Sequence, residues 1–332
     1  MADTRIAVID DWQNAAREVA DWSGLQKRAE VVFFQRHYPA GEEDAAVRDL
    51  KDSDILLLTR ERSSFPESLI ARLPRLKMMS LTGSRAPNVD QDACTKRGII
   101  CTMTSGGHSP APAAEMALAL LLAAARQIPA GDAAMRAGRF QEGIRPGINL
   151  EGRTLGIVGL GRIGAYMARY GKALGMRVIA WSQNLTDERA RDAGAERVDK
   201  ERLFSEADAV TVHLVLGPRS RGLIGAADFA RMKKGAIFVN TSRGPIVDEA
   251  ALVAASREGR IFAALDVYDT EPLPADNPFR NLPNTVLTPH LGFTTVEGLG
   301  VFYEHAIDNI LAFLDGKPKN MANPEALKHA KS

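Results

Sequence analysis

Three stretches of this 332-residue chain carry side chains suited to proton transfer and anion binding: Val239-Asn-Thr-Ser-Arg-Gly-Pro-Ile-Val-Asp-Glu249, Leu265-Asp-Val-Tyr-Asp-Thr-Glu-Pro-Leu273 and Leu287-Thr-Pro-His-Leu-Gly292. Each lies near the carboxyl end of a predicted strand, where the ligand crevice of an open parallel sheet is found. Arg243, Asp266, Glu271 and His290 can therefore converge although they are far apart in sequence. An imidazole gains and loses a proton near neutrality, and a guanidinium offers a planar fork that matches a carboxylate. Singly, each has an ordinary explanation. An arginine after a strand is usually a surface residue, a Glu-Pro pair a turn, and a histidine after proline a satisfied loop residue. Their joint occurrence at strand ends favours a catalytic constellation.

A fourth stretch, Arg153-Thr-Leu-Gly-Ile-Val-Gly-Leu-Gly-Arg-Ile-Gly164, reads as the cofactor turn. Leu155, Ile157 and Val158 form a short buried strand that ends in Gly159, Gly161 and Gly164 as a helical pattern begins. In that order the first glycine permits a sharp turn, the second admits a pyrophosphate to the backbone, and the third lets helix and strand pack closely. The ligand's charge then meets free N–H groups and the positive end of the helix dipole. Methyltransferases and tight strand-to-helix turns can imitate the glycine triplet, but a methyltransferase needs none of Arg243, Glu271 and His290.

Around these motifs the chain alternates strands with helices, which predicts parallel sheets covered on both faces. Strands are expected at 6–9, 31–34, 55–58, 78–81 and 99–101, with helices near 13–22, 42–51, 66–73 and 90–97. A Gly, Ser and Pro-rich segment, 104–112, reads as a crossing between domains. The apolar helix 113–126 follows it and must be buried by the next domain or by another subunit. Arg136 to Leu150 reads as a loop. Six strands are expected from the central turn onward, at 155–158, 177–181, 209–213, 236–240, 262–267 and 285–287. An amphipathic helix, 297–314, closes the pattern and should pack back on the first domain. The expected division is 1–103 with 295–332 against 104–294.

Lysine plus arginine total 42 against 41 acids, a balance that offers no nucleic-acid surface. Cys94 and Cys101 have no CxxC partner and read as reduced core residues. No cluster has metal-ligand spacing. The longest apolar run is too short to span a bilayer, and the absence of a leader-like segment points to the cytosol.

With four motifs in this order, the chain resembles the D-isomer-specific 2-hydroxyacid dehydrogenase family over nearly its whole length. The motifs are the turn from Gly159 to Gly164, Arg243 in Asn-Thr-Ser-Arg-Gly, Asp-Val-x-x-x-Glu-Pro at Asp266 and Glu271, and Thr-Pro-His-x-Gly at His290. The resemblance implies two doubly wound parallel-sheet domains, a Rossmann nucleotide domain inserted into a flavodoxin-like substrate domain, and a homodimer formed through the nucleotide domain. It implies hydride transfer between a nicotinamide cofactor and a small 2-hydroxy or 2-oxo acid. His290 would be the proton donor, Glu271 its partner and Arg243 the carboxylate clamp. Asp266 would accept a hydrogen bond from the nicotinamide carboxamide. The cofactor set comprises Gly159, Gly161, Arg162, Ile163, Gly164, Ser182, His213, Thr241, Asp266 and Gly292. His213 is expected to line the adenine side, with Val215 where the family often has proline, and His108 in the crossing segment to cap a turn.

Two positions depart from the commonest family pattern. An acidic residue often ends the second nucleotide-domain strand and binds the ribose 2′-hydroxyl; Ser182 stands here, so NAD is expected and NADP stays open. The substrate loop reads Thr82-Gly-Ser-Arg-Ala-Pro-Asn-Val-Asp90, where backbone N–H groups of Gly83, Ser84 and Arg85 are expected to hold the substrate carboxylate. Arg85 replaces a small residue: it either adds a cation to the pocket or pairs with a nearby acid. Arg60 is a lesser candidate for the same pocket. Two rival functions share this framework. A formate dehydrogenase would lack Glu271, whereas a dinucleotide-sensing corepressor could keep every motif.

Overall fold

Five short apolar runs build the first sheet of the computed structural model, which describes residues 4–104 and 109–329. They are β1 (Arg5–Ile9), β2 (Glu30–Phe33), β3 (Ile55–Leu58), β4 (Met78–Leu81) and β5 (Ile100–Met103), all parallel in the order β2-β1-β3-β4-β5. Every residue of β3 and β4 is buried, as continuous apolar runs in a parallel sheet covered on both faces must be. The chain forms two compact units, Met1–His108 with Thr295–Ser332 and Ser109–Thr294. The first break falls after residue 108 rather than 103. His108 itself lies outside the described residues.

In the first unit the long helix Val296–Leu314 packs on β4, β5 and two short helices, Ala16–Val19 and Ser23–Gln26. The sequence suggests a single helix over 13–22. It is broken at Ala20, which is extended, and at Asp21, whose carboxylate accepts the Ser23 N–H at 2.9 Å. The C-terminal segment is tied to β5 by Asn323, which accepts from the Cys101 N–H at 2.7 Å and donates to the Ile99 carbonyl at 3.0 Å. Cys94 and Cys101 are buried free thiols with no disulfide between them.

The second unit contains β6 (Thr154–Val158), β7 (Arg177–Trp181), β8 (Glu196–Arg197), β9 (Ala209–Val212), β10 (Ala236–Asn240), β11 (Ile261–Leu265) and β12 (Thr285–Leu287). Its parallel order is β12-β11-β10-β9-β6-β7-β8. Six of these strands were expected. β8 escapes sequence reading because its two residues are charged and exposed, so no apolar pattern marks it. The helix Ala111–Arg126 buries Ala114, Ala117, Leu121 and Ala124, and packs on the helix Arg162–Ala173 and on β10, β11 and β12. Gln127, in the left-handed region at φ 55°, ends it, and a further helix, Ile128–Arg136, was not anticipated. Among the described residues no single helix is long and apolar enough to cross a membrane.

At the end of β1, Asp10 is fully buried with φ 68°, and its Oδ1 accepts from the Ser63 hydroxyl at 2.5 Å. Burial raises its pKa to about 7 against the opposing Ser63 hydrogen bond and Arg62 charge. The unfolded chain releases this proton near 3.8. The contribution of the neutral acid to stability is therefore complete below about pH 4 and is lost as pH rises through 7. Asp10→Asn, a neutral isostere, should gain on the native protein by several degrees in Tm between pH 5 and pH 8. A Tm difference constant across that range would contradict the assignment.

Candidate functional site

In the second unit the strand order reverses between β6 and β9, and a ligand crevice is expected outside the strand ends there. Gly159 ends β6 at φ 101°, and a Cβ on it would stand 2.6 Å from the His213 carbonyl oxygen. A Cβ on Gly164 would stand 2.3 Å from the Gly159 carbonyl oxygen, so only glycine lets this helix lie on its strand. Above Gly161 there is open space. The helix Arg162–Ala173 begins without a side-chain cap, which leaves the N–H groups of its first turn, from Arg162 and Ile163 onward, available to an anion.

Two buried polar atoms at the ends of the adjoining strands have no protein partner. They are Thr241 Oγ1, after β10, and His213 Nδ1, after β9. Burial pushes the His213 pKa down to about 3, so its ring is neutral, and Nε2 meets the Thr211 hydroxyl at 2.8 Å. Orphaned polar atoms are costly unless a ligand or water satisfies them. Together with the uncapped helix and the space over Gly161, they fit a dinucleotide. Ser182 lies past β7 and lines a neighbouring cavity of about 540 Å³.

The catalytic candidates meet at the ends of β10, β11 and β12. His290 Nδ1 lies 2.6 Å from Glu271 Oε2, and Glu271 Oε1 accepts the Tyr268 N–H at 3.0 Å. Both side chains are about a third exposed, at 29% and 32%. Burial works to raise the Glu271 pKa, but the His290 hydrogen bond and charge, the Tyr268 N–H and the Arg243 guanidinium outweigh it and hold the carboxyl below its usual value. His290 occupies the left-handed region at φ 55°, a conformation uncommon for residues other than glycine and concentrated at functional sites. Its ring packs edge-on against Phe293.

Arg243 is set by a brace that explains its motif. Asn240 accepts from the Ser242 N–H at 3.0 Å and donates to the Arg243 carbonyl at 3.1 Å. The Ser242 hydroxyl donates to the Val212 carbonyl at 2.8 Å. A Cβ on Gly244 would stand 2.1 Å from the Tyr268 carbonyl carbon, so the turn can close only over glycine.

Asp266 departs from the simple expectation. It is 1% exposed, and its carboxylate accepts three hydrogen bonds from one loop: Thr288 Oγ1 at 2.6 Å, Leu291 N at 2.7 Å and Gly292 N at 2.8 Å. It is the anchor of the segment that carries His290. Sequence reading missed this, as it missed Tyr268, whose hydroxyl donates to the Thr288 carbonyl at 3.0 Å. Burial raises the Asp266 pKa despite those three donors and the His290 charge. Gly292 lies against Asp266, with a Cβ there 3.1 Å from Oδ2.

In the first unit the loop after β4 carries a hydrogen bond that the sequence does not announce. The Gly83 N–H, expected to face the substrate, donates to the Thr104 hydroxyl at 2.7 Å in the free chain. Ser84 and Arg85 are exposed on the same loop, and among the described residues Arg85 has no acidic partner. Arg60, at φ 65°, brings its guanidinium against Gly83, so the lesser candidate stands on the loop itself.

A parallel sheet of this order with a glycine turn at its reversal point defines a dinucleotide-binding domain. Residues 118–292 match the model of the D-isomer specific 2-hydroxyacid dehydrogenase, NAD binding domain. The chain is 38% identical to a glyoxylate reductase of Aeropyrum pernix over 92% of each chain. It is 40% identical to a D-3-phosphoglycerate dehydrogenase of Archaeoglobus fulgidus over 73% of this chain, and spans less than half, 46%, of that relative's length. A solved phosphoglycerate oxidoreductase from Vibrio cholerae superposes with a TM-score of 0.87 at 34% identity, covering 94% of this chain and 99% of that one. The chain belongs to the D-isomer specific 2-hydroxyacid dehydrogenase family, whose oxidoreductases transfer hydride between NAD and 2-hydroxy or 2-oxo acids.

The glycine turn yields a contrast. Gly161→Ala should leave the Tm of the free protein nearly unchanged while weakening NAD binding by at least about tenfold. Gly164→Ala should lower the Tm itself, at a cost of about 1–3 kcal/mol for an overpacked contact. Equal Tm losses in the two variants would contradict these distinct roles.

Proposed function

We propose that this chain reduces a small 2-oxo acid of the glyoxylate type to the corresponding 2-hydroxy acid, of D configuration where that carbon is a stereocentre, with NAD as the oxidised cofactor product, and runs the reverse oxidation when the 2-hydroxy acid is supplied. The observation that carries this reading is the 2.6 Å contact between His290 Nδ1 and Glu271 Oε2. With Nδ1–H engaged by the carboxylate, Nε2 is the nitrogen left to protonate the substrate oxygen. Glu271 stabilises the imidazolium before transfer and fixes the ring after it. When bound, the nicotinamide cofactor supplies the hydride. Arg243 clamps the substrate carboxylate and polarises the adjacent carbonyl; the exposed Ser84 and Arg85 are further candidates for substrate binding. The bonded carboxylate on His290 speaks against formate oxidation, and turnover separates an enzyme from a dinucleotide sensor.

NADH oxidation with glyoxylate and with a dicarboxylic 2-oxo acid tests these roles together. His290→Ala should lose about 10²- to 10⁴-fold in kcat with NADH affinity intact. Arg85→Ala should lose more kcat/KM on the dicarboxylic acid than on glyoxylate. Unimpaired turnover in His290→Ala would remove it as the acid, and equal losses in Arg85→Ala would reduce Arg85 to a loop residue.

We also propose a homodimer formed through the nucleotide-binding unit. Ile128, Met135 and Phe140 are exposed there at 55%, 60% and 65% on consecutive segments after the buried helix, and exposed apolar side chains of this size favour a covered face. Sedimentation should give the mass of two chains, reduced to one by Met135→Glu; a monomeric native protein would contradict it.

A further inference from the structure

The cavity of about 540 Å³ beside the glycine turn lies between the end of β7 and the loop that follows β9. Its wall includes Ser182, Gln183, Asn184, Arg189, Arg219 and Ser220, and no carboxylate. A nucleotide domain that selects the unphosphorylated dinucleotide places an acid at the end of its second strand, where it binds the ribose 2′-hydroxyl. The same negative charge would repel a phosphate there. Ser182 occupies that position, and the nearby Asp187 is engaged by Arg197 Nε at 2.9 Å. Arg189 and Arg219 arrive from different segments. Both are exposed, and among the described residues neither has an ion-pair partner. The Ser220 hydroxyl holds the second segment in place by donating to the Val215 carbonyl at 2.7 Å.

A phosphate monoester on the adenosine ribose is the ligand this wall suits. Two guanidiniums, always charged, offer it paired N–H donors, and a serine hydroxyl can donate where an acid would repel. We infer that the cavity receives the 2′-phosphate of NADP(H), held by Arg189 and Arg219 with Ser182, and that the chain binds NADP(H) at least as tightly as NAD(H). The inference rests on the nucleotide-binding reading of the glycine turn. Because both arginines are exposed, the added affinity for the phosphorylated form falls as salt is raised.

Calorimetric titration of the full chain with NADP⁺, NAD⁺ and adenosine 2′,5′-bisphosphate tests this without reference to turnover. The expected result is a Kd for NADP⁺ equal to or below that for NAD⁺. Arg189→Ala and Arg219→Ala should each raise the NADP⁺ and bisphosphate Kd roughly tenfold while leaving the NAD⁺ Kd within about twofold, which also shows that the variants are folded. Ser182→Asp should reverse the preference. NADP⁺ binding ten times or more weaker than NAD⁺ to the native chain would overturn the inference while the nucleotide reading stands, and so would equal losses for both dinucleotides in the arginine variants. Failure of both dinucleotides to bind would remove the nucleotide reading and the inference with it.

Discussion

One buried carboxylate organises the candidate active site. Asp266, at the end of β11, takes three donors from residues 288–292 and so fixes the short segment on which His290 stands. Those three bonds cross from one strand end to the next, and they hold His290 in a left-handed backbone conformation that the residue would not adopt unaided. A carboxylate removed from water is costly unless its lone pairs are satisfied. Burial raises the Asp266 pKa despite those donors. The three bonds pre-organise the segment that carries His290.

The same economy recurs at the other strand ends. Gly244 closes against the backbone of Tyr268, and Asn240 braces the turn that presents Arg243. The Tyr268 N–H then holds the far oxygen of Glu271, which leaves the near oxygen for His290. Each functional side chain is thus oriented by a neighbour with no chemical role of its own. At the ends of β9 and β10 the arrangement is the reverse: His213 Nδ1 and Thr241 Oγ1 are buried without protein partners, and a ligand or water would satisfy them.

Much of this was legible in the sequence because it rests on residue type and periodicity. The glycines at 159, 161 and 164 announced both the strand-to-helix turn and its three steric demands. The strand-end positions of Arg243, Glu271 and His290 followed from apolar runs and the rule that crevices lie at carboxyl ends. What stayed hidden has a common physical cause, the pairing of groups distant in sequence. Nothing local reveals that Asp266 grips residues 288–292, that the Thr104 hydroxyl takes the Gly83 N–H, or that Arg219 shares a cavity with Arg189. The β8 strand was invisible because edge pairing can recruit charged residues with no pattern of their own, and the helix over 13–22 failed at Asp21, whose side chain competes for the backbone.

The dependence of the imidazole-carboxylate pair on its buried anchor can be measured directly by proton NMR of histidine-labelled protein. The native chain should give a far-downfield Nδ1 proton from His290, lost in Glu271→Gln. Asp266→Asn, which keeps the shape but withdraws an acceptor from the loop, should broaden or abolish that signal although it touches neither partner. A resonance unchanged by Asp266→Asn would contradict the account, because the pair would then be held without its anchor.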